Sequence, residues 1–338
     1  MPVQISENRS LRSFLTFGME ARATQFVEVT SVAELREALE LETENKLILG
    51  GGSNVLFVEE FDGLVIRNCI KGIEVLERDQ SHVIISVGAG EIWHDLVSWC
   101  LDQDFGGLEN LSLIPGTVGA APIQNIGAYG VEQDEVIVSL DAVDMSTGER
   151  ITFDKEACRF SYRDSIFKRA WKGQYCITKV RYKLTIHNHA LRLAYGAIAK
   201  TVERLQIDEP TIKDVSAAVI GIRRSKLPDP KVLGNAGSFF KNPVITDAEF
   251  NQLKQRYPGL PSYPLDQGYV KVPAAWLIEY CGWKGYKSNG VGVYDKHALV
   301  LVNYGDGTAK ELKALAGNIM KSVYEEFGID LNPEVNIF

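Results

Sequence analysis

Hydrophobic positions along the chain follow two periods, helical and extended, broken by stretches that follow neither. Residues 31–45 set Leu35, Ala38, Leu39 and Leu41 on one side of a helix, opened by the capping-box spacing of Ser31 and Glu34. The runs LVIR (64–67), IEVLE (73–77) and VIISVG (83–88) are β-type and read as strands. The helical period returns in 91–104, with Ile92, Leu96, Val97, Cys100 and Leu101 on one face. Strands resume at 136–145 and 175–186, the second alternating as a half-buried antiparallel ribbon does, with Thr147 and Gly148 as a turn. Helical patterns occupy 195–206 and 211–224, the latter with Thr211 as the expected cap. A capping box at Thr246 and Glu249, a helix at 273–280, a strand at 297–303 and a long helix opened by Thr308 and Glu311 complete the series. Elements mixed in this order, without regular βαβ alternation, predict an α+β protein.

Two segments obey neither period. Residues 105–130 (FGGLENLSLIPGTVGAAPIQNIGAYG) are rich in glycine and small residues and read as a long ordered loop whose backbone approaches something closely. Residues 226–243 (KLPDPKVLGNAGSFFKNP) are rich in proline and glycine and are expected to break regular structure. A shorter loop, Gly50 to Asn54 (GGGSN), lies between two strands. It lacks the spacing and following helix of a Rossmann dinucleotide site, and the lysine of a P-loop. Its bare N–H groups, with the side chains of Ser53 and Asn54, suit either a nest for a pyrophosphate or a tight hairpin.

Composition narrows the class. The chain has 338 residues, 45% hydrophobic and 24% charged, an ordinary globular profile for which two or three subdomains are more natural than one core. A net charge of -8 with no long basic stripe argues against nucleic acid or an anionic membrane as partner. No apolar run approaches the roughly 18 residues of a membrane span, and the first residues lack a signal-like core, so a cytoplasmic protein is expected. The five cysteines, Cys69, Cys100, Cys158, Cys176 and Cys281, show no paired spacing and read as small buried hydrophobes rather than redox groups. No histidine cluster or other metal site is signalled.

The two glycine-rich segments, LGGGSNVLF and IPGTVGAAPIQNIGAYG, resemble the paired FAD-binding loops of the UDP-N-acetylmuramate dehydrogenase family, within the wider vanillyl alcohol oxidase type of flavin fold. The likeness continues in the family's order through SYRDSIFK, GNAGSFFKNP and NPEVNIF, over almost the entire chain. It implies that Gly50, Gly51, Gly52, Ser53 and Asn54 surround the pyrophosphate, and that Pro115, Gly116, Thr117, Gly119, Ile126 and Gly127 follow the flavin and its ribityl chain. It also implies a catalytic set of Arg163, Ser238 and Glu334. Taken alone, these three read as a loop arginine able to fork a carboxylate, a turn serine and a carboxylate on an edge strand.

The same resemblance assigns Tyr129, Arg223, Lys226 and Asn242 to the sugar-nucleotide site, with Tyr263 beside them. Tyr195, in LAYGAI, matches the mobile tyrosine of the first of two family subtypes, and the long insert after Pro243 agrees with that subtype. One departure stands out: family members often carry an arginine two residues beyond the catalytic glutamate, where this chain has Asn336. A second cationic contact there is thereby in doubt.

The implied reaction belongs to peptidoglycan precursor synthesis. NADPH reduces FAD and leaves, and the enolpyruvyl ether of UDP-N-acetylglucosamine enters the same cleft and is reduced at its double bond. Arg163 would meet the negative charge developing on the α carbon and carboxylate, Glu334 would hold a proton for the enolate oxygen, and Ser238 would protonate the α carbon. The expected architecture is a three-subdomain flavoprotein: residues 1–70 joined by 329–338, residues 71–205 completing the FAD site, and residues 206–328 binding substrate. No obligatory protein partner is implied, and a monomer is expected. The rivals are an oxidase of the same fold and a non-catalytic sugar-nucleotide binding protein.

Overall fold

Helices begin where the sequence supplies caps. Thr246 and Thr308 accept hydrogen bonds from the N–H groups of Glu249 and Glu311, whose carboxylates accept the threonine N–H groups in return, both at 2.8 Å. Thr211 and Asp214 exchange the same pair of bonds, with aspartate reciprocating. Ser31 caps the helix Val32–Leu39, but the carboxylate of Glu34 turns to the N–H and hydroxyl of Thr30, so the expected box is displaced by one residue.

The computed structural model describes residues 3–338; residues 1 and 2, at the start of the expected first subdomain, lie outside the described residues. Spatial contacts divide the chain into two compact units. The first holds the described part of Met1–Arg9 with Ala23–Gly51 and Asp62–Ser225, the second Ser10–Arg22, Gly52–Phe61 and Lys226–Phe338.

The first unit contains a two-stranded sheet and two large ones. One has four strands in the order Ser6–Ser10, Arg22–Val29, Phe61–Asn68, Lys46–Leu49, the last two parallel, over Val27, Leu35, Leu39, Leu64 and Ile66. The other is antiparallel, in the order Arg150–Asp154, Ile137–Asp144, Tyr175–Thr185, His82–Gly88, Ile73–Arg78. Helix Trp93–Asp102 packs on it through Trp93, Leu96, Val97 and Cys100. Ile92, expected on that face, is the N-cap and 46% exposed, and Trp93 takes the buried place with its ring edge-on to Tyr182. Three cysteines behave as expected: burial pushes the thiols of Cys100, Cys158 and Cys176 up to about 12.

The second unit is built on a four-stranded sheet ordered Gly234–Ser238, Val300–Asn303, Val291–Val293, Lys287–Ser288, against which helix Ala309–Phe327 buries Leu312, Leu315, Ile319, Val323 and Phe327. The insert after Pro243 forms helix Asp247–Arg256 and a small sheet of Val244–Thr246, Tyr269–Lys271 and Tyr263–Pro264. Strand Gly234–Ser238 corrects the expectation that 226–243 is irregular throughout. Its composition hides it for a reason: a Cβ on Gly234 would stand 2.2 Å from the carbonyl oxygen of Phe17, so only glycine fits that register. The last strand, Asn336–Ile337, runs parallel to Val55–Leu56.

No helix among the described residues is long and apolar enough to cross a membrane. Phe239 is fully buried in the core of the second unit, and its N–H and C=O bond Leu299 and Glu334. Phe239→Ala should lower stability by about 3–5 kcal/mol in chemical denaturation, the usual cost of emptying an aromatic core site.

Candidate active site

In the first unit, strand Lys46–Leu49 delivers Gly50 and Gly51 to the face of the long loop. A Cβ on Gly51 would lie 2.9 Å from the Cα of Gly116, and one on Gly50 would lie 2.6 Å from the hydroxyl of Thr117. At Gly51 two stretches of main chain therefore touch with no side chain between them, while Gly50 faces the Thr117 side chain. The far side of the long loop is fastened to the start of helix Trp93–Asp102. Trp93 N–H donates to Gly116 C=O at 3.0 Å, Val118 N–H to Glu91 C=O at 2.9 Å, and Gly119 N–H to Ala89 C=O at 2.8 Å.

Gly127 and Ala128 then pair with Val131 and Glu132 in a two-residue hairpin turned by Tyr129 and Gly130, at φ of 53° and 80°. Such a turn favours asparagine or glycine at its first corner; here a tyrosine is held in the left-handed region. Its carbonyl accepts the Asn110 amide at 3.3 Å. The ring of Tyr129 meets Tyr195 edge-on at 5.2 Å, and Arg223 acts electrostatically on its phenol. Burial raises the phenol pKa, with Arg223 opposing. Tyr195 is exposed and caps helix Gly196–Arg204.

Arg163 sits at φ 54° in a tight turn closed by reciprocal bonds between Ser161 and Asp164. Its guanidinium donates to the carbonyl of Gly127, stands 3.9 Å from the Glu132 carboxylate and lies over the ring of Tyr162. Gly127 makes this approach possible, since a Cβ there would meet Arg163 Nη1 at 2.9 Å and Glu132 Cγ at 2.8 Å. Asn125, fully buried and left-handed, donates to Glu132 at 3.0 Å and to Asp134 at 3.1 Å. Burial lowers the pKa of Arg223; Tyr129 opposes this, and the positive charge of Arg163 adds to it. The unit thus gathers two interacting guanidiniums and two tyrosines, a donor set for carboxylate and phosphate oxygens.

In the second unit, Gly52 holds φ 60° against the carbonyl of Phe14, and its own carbonyl accepts Thr16 N–H at 3.1 Å. The Asn54 amide donates to the carbonyl of Glu334 at 3.2 Å. Both the N–H and the side-chain amide of Asn336 donate to Asn54 C=O, at 3.0 and 3.1 Å. Glu334 follows an isolated bridge between Pro333 and Phe240 rather than lying in a strand, and its N–H donates to Phe239 C=O at 2.7 Å. Since Ser238 ends its strand one residue before Phe239, Asn54, Ser238 and Glu334 share one neighbourhood. Asn242 accepts Ala274 N–H at 2.9 Å, fixing the start of helix Ala274–Tyr280. Lys226, at the end of helix Ile212–Lys226, is exposed and acts electrostatically on His297. Tyr263 stands on the small sheet of the insert, exposed, with the Lys271 ammonium over its ring.

The loops suit a large planar cofactor. The glycine contacts leave main chain bare, and the N–H groups of Gly51, Gly52 and Ser53 enter no hydrogen bond among the described residues. Glu132, Asn125 and His94 carry no signal in the sequence: hairpin turns bring the first two to the Arg163 turn, and a helix start brings the third to Leu113.

A sequence model of an FAD binding domain matches residues 23–154, and a model of the UDP-N-acetylenolpyruvoylglucosamine reductase C-terminal domain matches residues 229–338. The chain is 49% identical over 336 residues to the UDP-N-acetylenolpyruvoylglucosamine reductase of Flavobacterium johnsoniae, covering 99% of this chain and 100% of that one. It is 51% identical over 338 residues to the reductase of the same name from Amoebophilus asiaticus, covering 99% of each. The crystal structure of UDP-N-acetylenolpyruvylglucosamine reductase from Thermus caldophilus superposes with a TM-score of 0.69 at 23% identity, over 100% of this chain and 99% of that one, and shares its fold.

Gly51→Ala should force the two loops apart, because its methyl meets backbone and not a yielding side chain. The purified variant is expected to carry little FAD and to bind it about tenfold or more weakly in fluorescence titration. Full occupancy with unchanged affinity would dissociate this packing from the cofactor.

Proposed function

We propose that Arg163, Ser238 and Glu334 carry the reaction of this chain, which belongs to the UDP-N-acetylenolpyruvoylglucosamine reductase family. That family is the UDP-N-acetylmuramate dehydrogenase family of the sequence resemblance. Its members reduce the enolpyruvyl double bond of UDP-N-acetylenolpyruvoylglucosamine to UDP-N-acetylmuramate with FAD and NADPH, and this chain does the same. Bound FAD supplies the hydride chemistry, accepting from NADPH and donating to the substrate.

The observation that supports the assignment is the 2.7 Å bond from Glu334 N–H to the carbonyl of Phe239, which brings the main chain at Glu334 to the residue that follows Ser238, although the two lie in distant stretches of the sequence. Ser238 delivers the proton to the α carbon, and Glu334 holds a proton for the enolate oxygen. Arg163 binds the substrate carboxylate, its donors aimed before charge develops there.

Gly50, Gly51, Gly52, Ser53 and Asn54 grip the pyrophosphate through their N–H groups, while Pro115, Gly116, Thr117, Gly119, Ile126 and Gly127 run along the flavin. Tyr129, Arg223, Lys226 and Asn242, with Tyr263, hold the sugar nucleotide. Arg223 and Tyr129 influence each other electrostatically, which supports a shared anion site. The exposed Tyr195, edge-on to Tyr129, supports the first subtype, in which this tyrosine closes over substrate. The first boundary of the three-subdomain division is supported by the separation of the four-stranded from the five-stranded sheet in the first unit. We place the enzyme in the cytoplasm, because NADPH and UDP-sugars are cytoplasmic metabolites, and read it as a monomer with no obligatory protein partner.

Ser238→Ala separates the half-reactions. Its flavin should bleach with NADPH at the normal rate, and substrate should reoxidise it about 10²–10⁴-fold more slowly in stopped-flow absorbance. Reoxidation at the wild-type rate would remove Ser238 from the donor role.

A further inference from the structure

The start of helix Trp93–Asp102 holds the loop before the flavin contacts by one bond unlike the others. The main-chain bonds from this segment, and the indole bond from Trp93 Nε1 to Leu111 C=O at 2.9 Å, are indifferent to pH. Leu113 N–H, however, donates to His94 Nδ1 at 3.0 Å, and an imidazole nitrogen accepts only while it carries no proton. Leu113 also needs that bond more than its neighbours do. It sits at φ 58°, a conformation that leucine adopts only when its surroundings impose it. Its carbonyl accepts Arg223 Nε at 3.2 Å, so both polar groups flanking its Cα are fixed by side chains.

We propose that His94 is a positioning residue: in its neutral form, with the proton on Nε2, it pins Leu113 and thereby sets both the flavin loop at 115–119 and the guanidinium of Arg223. This rests on the reading that the loop faces FAD. Leu113 is followed directly by Ile114 and Pro115, which leave little slack to absorb a rotation at its φ. A shift at Leu113 therefore passes to Gly116 on one side and to Arg223 on the other.

The groups facing His94 come from two elements. Burial is the largest influence and lowers its pKa; Arg223 and Arg224 of helix Ile212–Lys226 act in the same direction, and Asp95 on its own helix opposes them. The folded chain thus takes up this proton less readily than the unfolded chain, whose histidine titrates at the usual 6.5. The contribution of the Leu113 bond is fully present above that pH and is lost as pH falls from it through the lower folded value. Below it, Nδ1–H would face Leu113 N–H, with a third positive charge beside two guanidiniums.

Two substitutions separate this role from space filling. Asparagine sets an acceptor oxygen where Nδ1 stands but does not titrate, and leucine fills the volume without an acceptor. FAD affinity of the stripped wild type, H94N and H94L is measured by flavin fluorescence from about pH 8 to about pH 5.5. Wild type should bind evenly above its histidine range and about tenfold more weakly at the acid end, H94N should stay flat, and H94L should be about tenfold weaker throughout. Parallel acid limbs in wild type and H94N overturn the proposal, and they suffice to do so should H94L fail to fold. Equal affinity of all three at every pH overturns it as well. A wild-type chain that takes up no FAD at any pH overturns the cofactor reading itself.

Discussion

The first unit depends on a contact between two stretches of main chain, Gly51 against Gly116 and the N–H of Thr117, with Gly50 closed over the Thr117 side chain. Bare backbone at that distance excludes any side chain on Gly51, and it exposes N–H groups that a phosphate-bearing cofactor can use. Glycine carries a cost, since an unfastened glycine-rich loop loses much conformational entropy on ordering. The chain offsets it by tying the loop to the start of a well-packed helix through Glu91, Trp93 and His94. The buried ring of Trp93 thus anchors the loop from within the core, with its indole N–H on the carbonyl of Leu111.

Around this contact the backbone is strained in a consistent way. Leu113, Asn125, Tyr129 and Arg163 all hold positive φ, each at a cost on the order of 1 kcal/mol or more. Each is held by partners outside its own turn: Leu113 by His94 and Arg223, Asn125 by Glu132 and Asp134, the Tyr129 carbonyl by Asn110, and Arg163 by Gly127 and Glu132. Strain over-determined by its surroundings is what a pre-organised binding surface requires, because the cost is met in folding and not when the ligand arrives.

Much of the fold was legible because periodicity and caps are local. Thr246 with Glu249, Thr308 with Glu311 and Thr211 announce their helices before any tertiary contact is known. Strand Gly234–Ser238 was not legible, since its glycines answer to the carbonyl of Phe17, a constraint from another part of the chain. The buried face of helix Trp93–Asp102 was displaced for a similar reason: Ile92 is apolar but serves as the N-cap, outside the helical face. The site was legible mainly through resemblance. Nothing in the isolated strings SYRDSIFK or NPEVNIF distinguishes Arg163 or Glu334 from surface charges, and Glu132, Asn125 and His94 gain their roles only once hairpin turns and a helix start place them.

The carboxylate beside Arg163 raises an electrostatic question that the geometry answers. A full ion pair would spend the guanidinium on Glu132 and weaken it for a substrate carboxylate. At 3.9 Å, and with both side chains partly exposed, the pair is loose and worth little in stability. The other Glu132 oxygen is occupied by the Asn125 amide, which draws the carboxylate toward the buried side of the hairpin. Glu132 therefore acts on the direction of Arg163 more than on its charge. With one guanidinium nitrogen on the Gly127 carbonyl and another facing Glu132, the rotation of the fork is restricted while the pairing stays too weak to quench it.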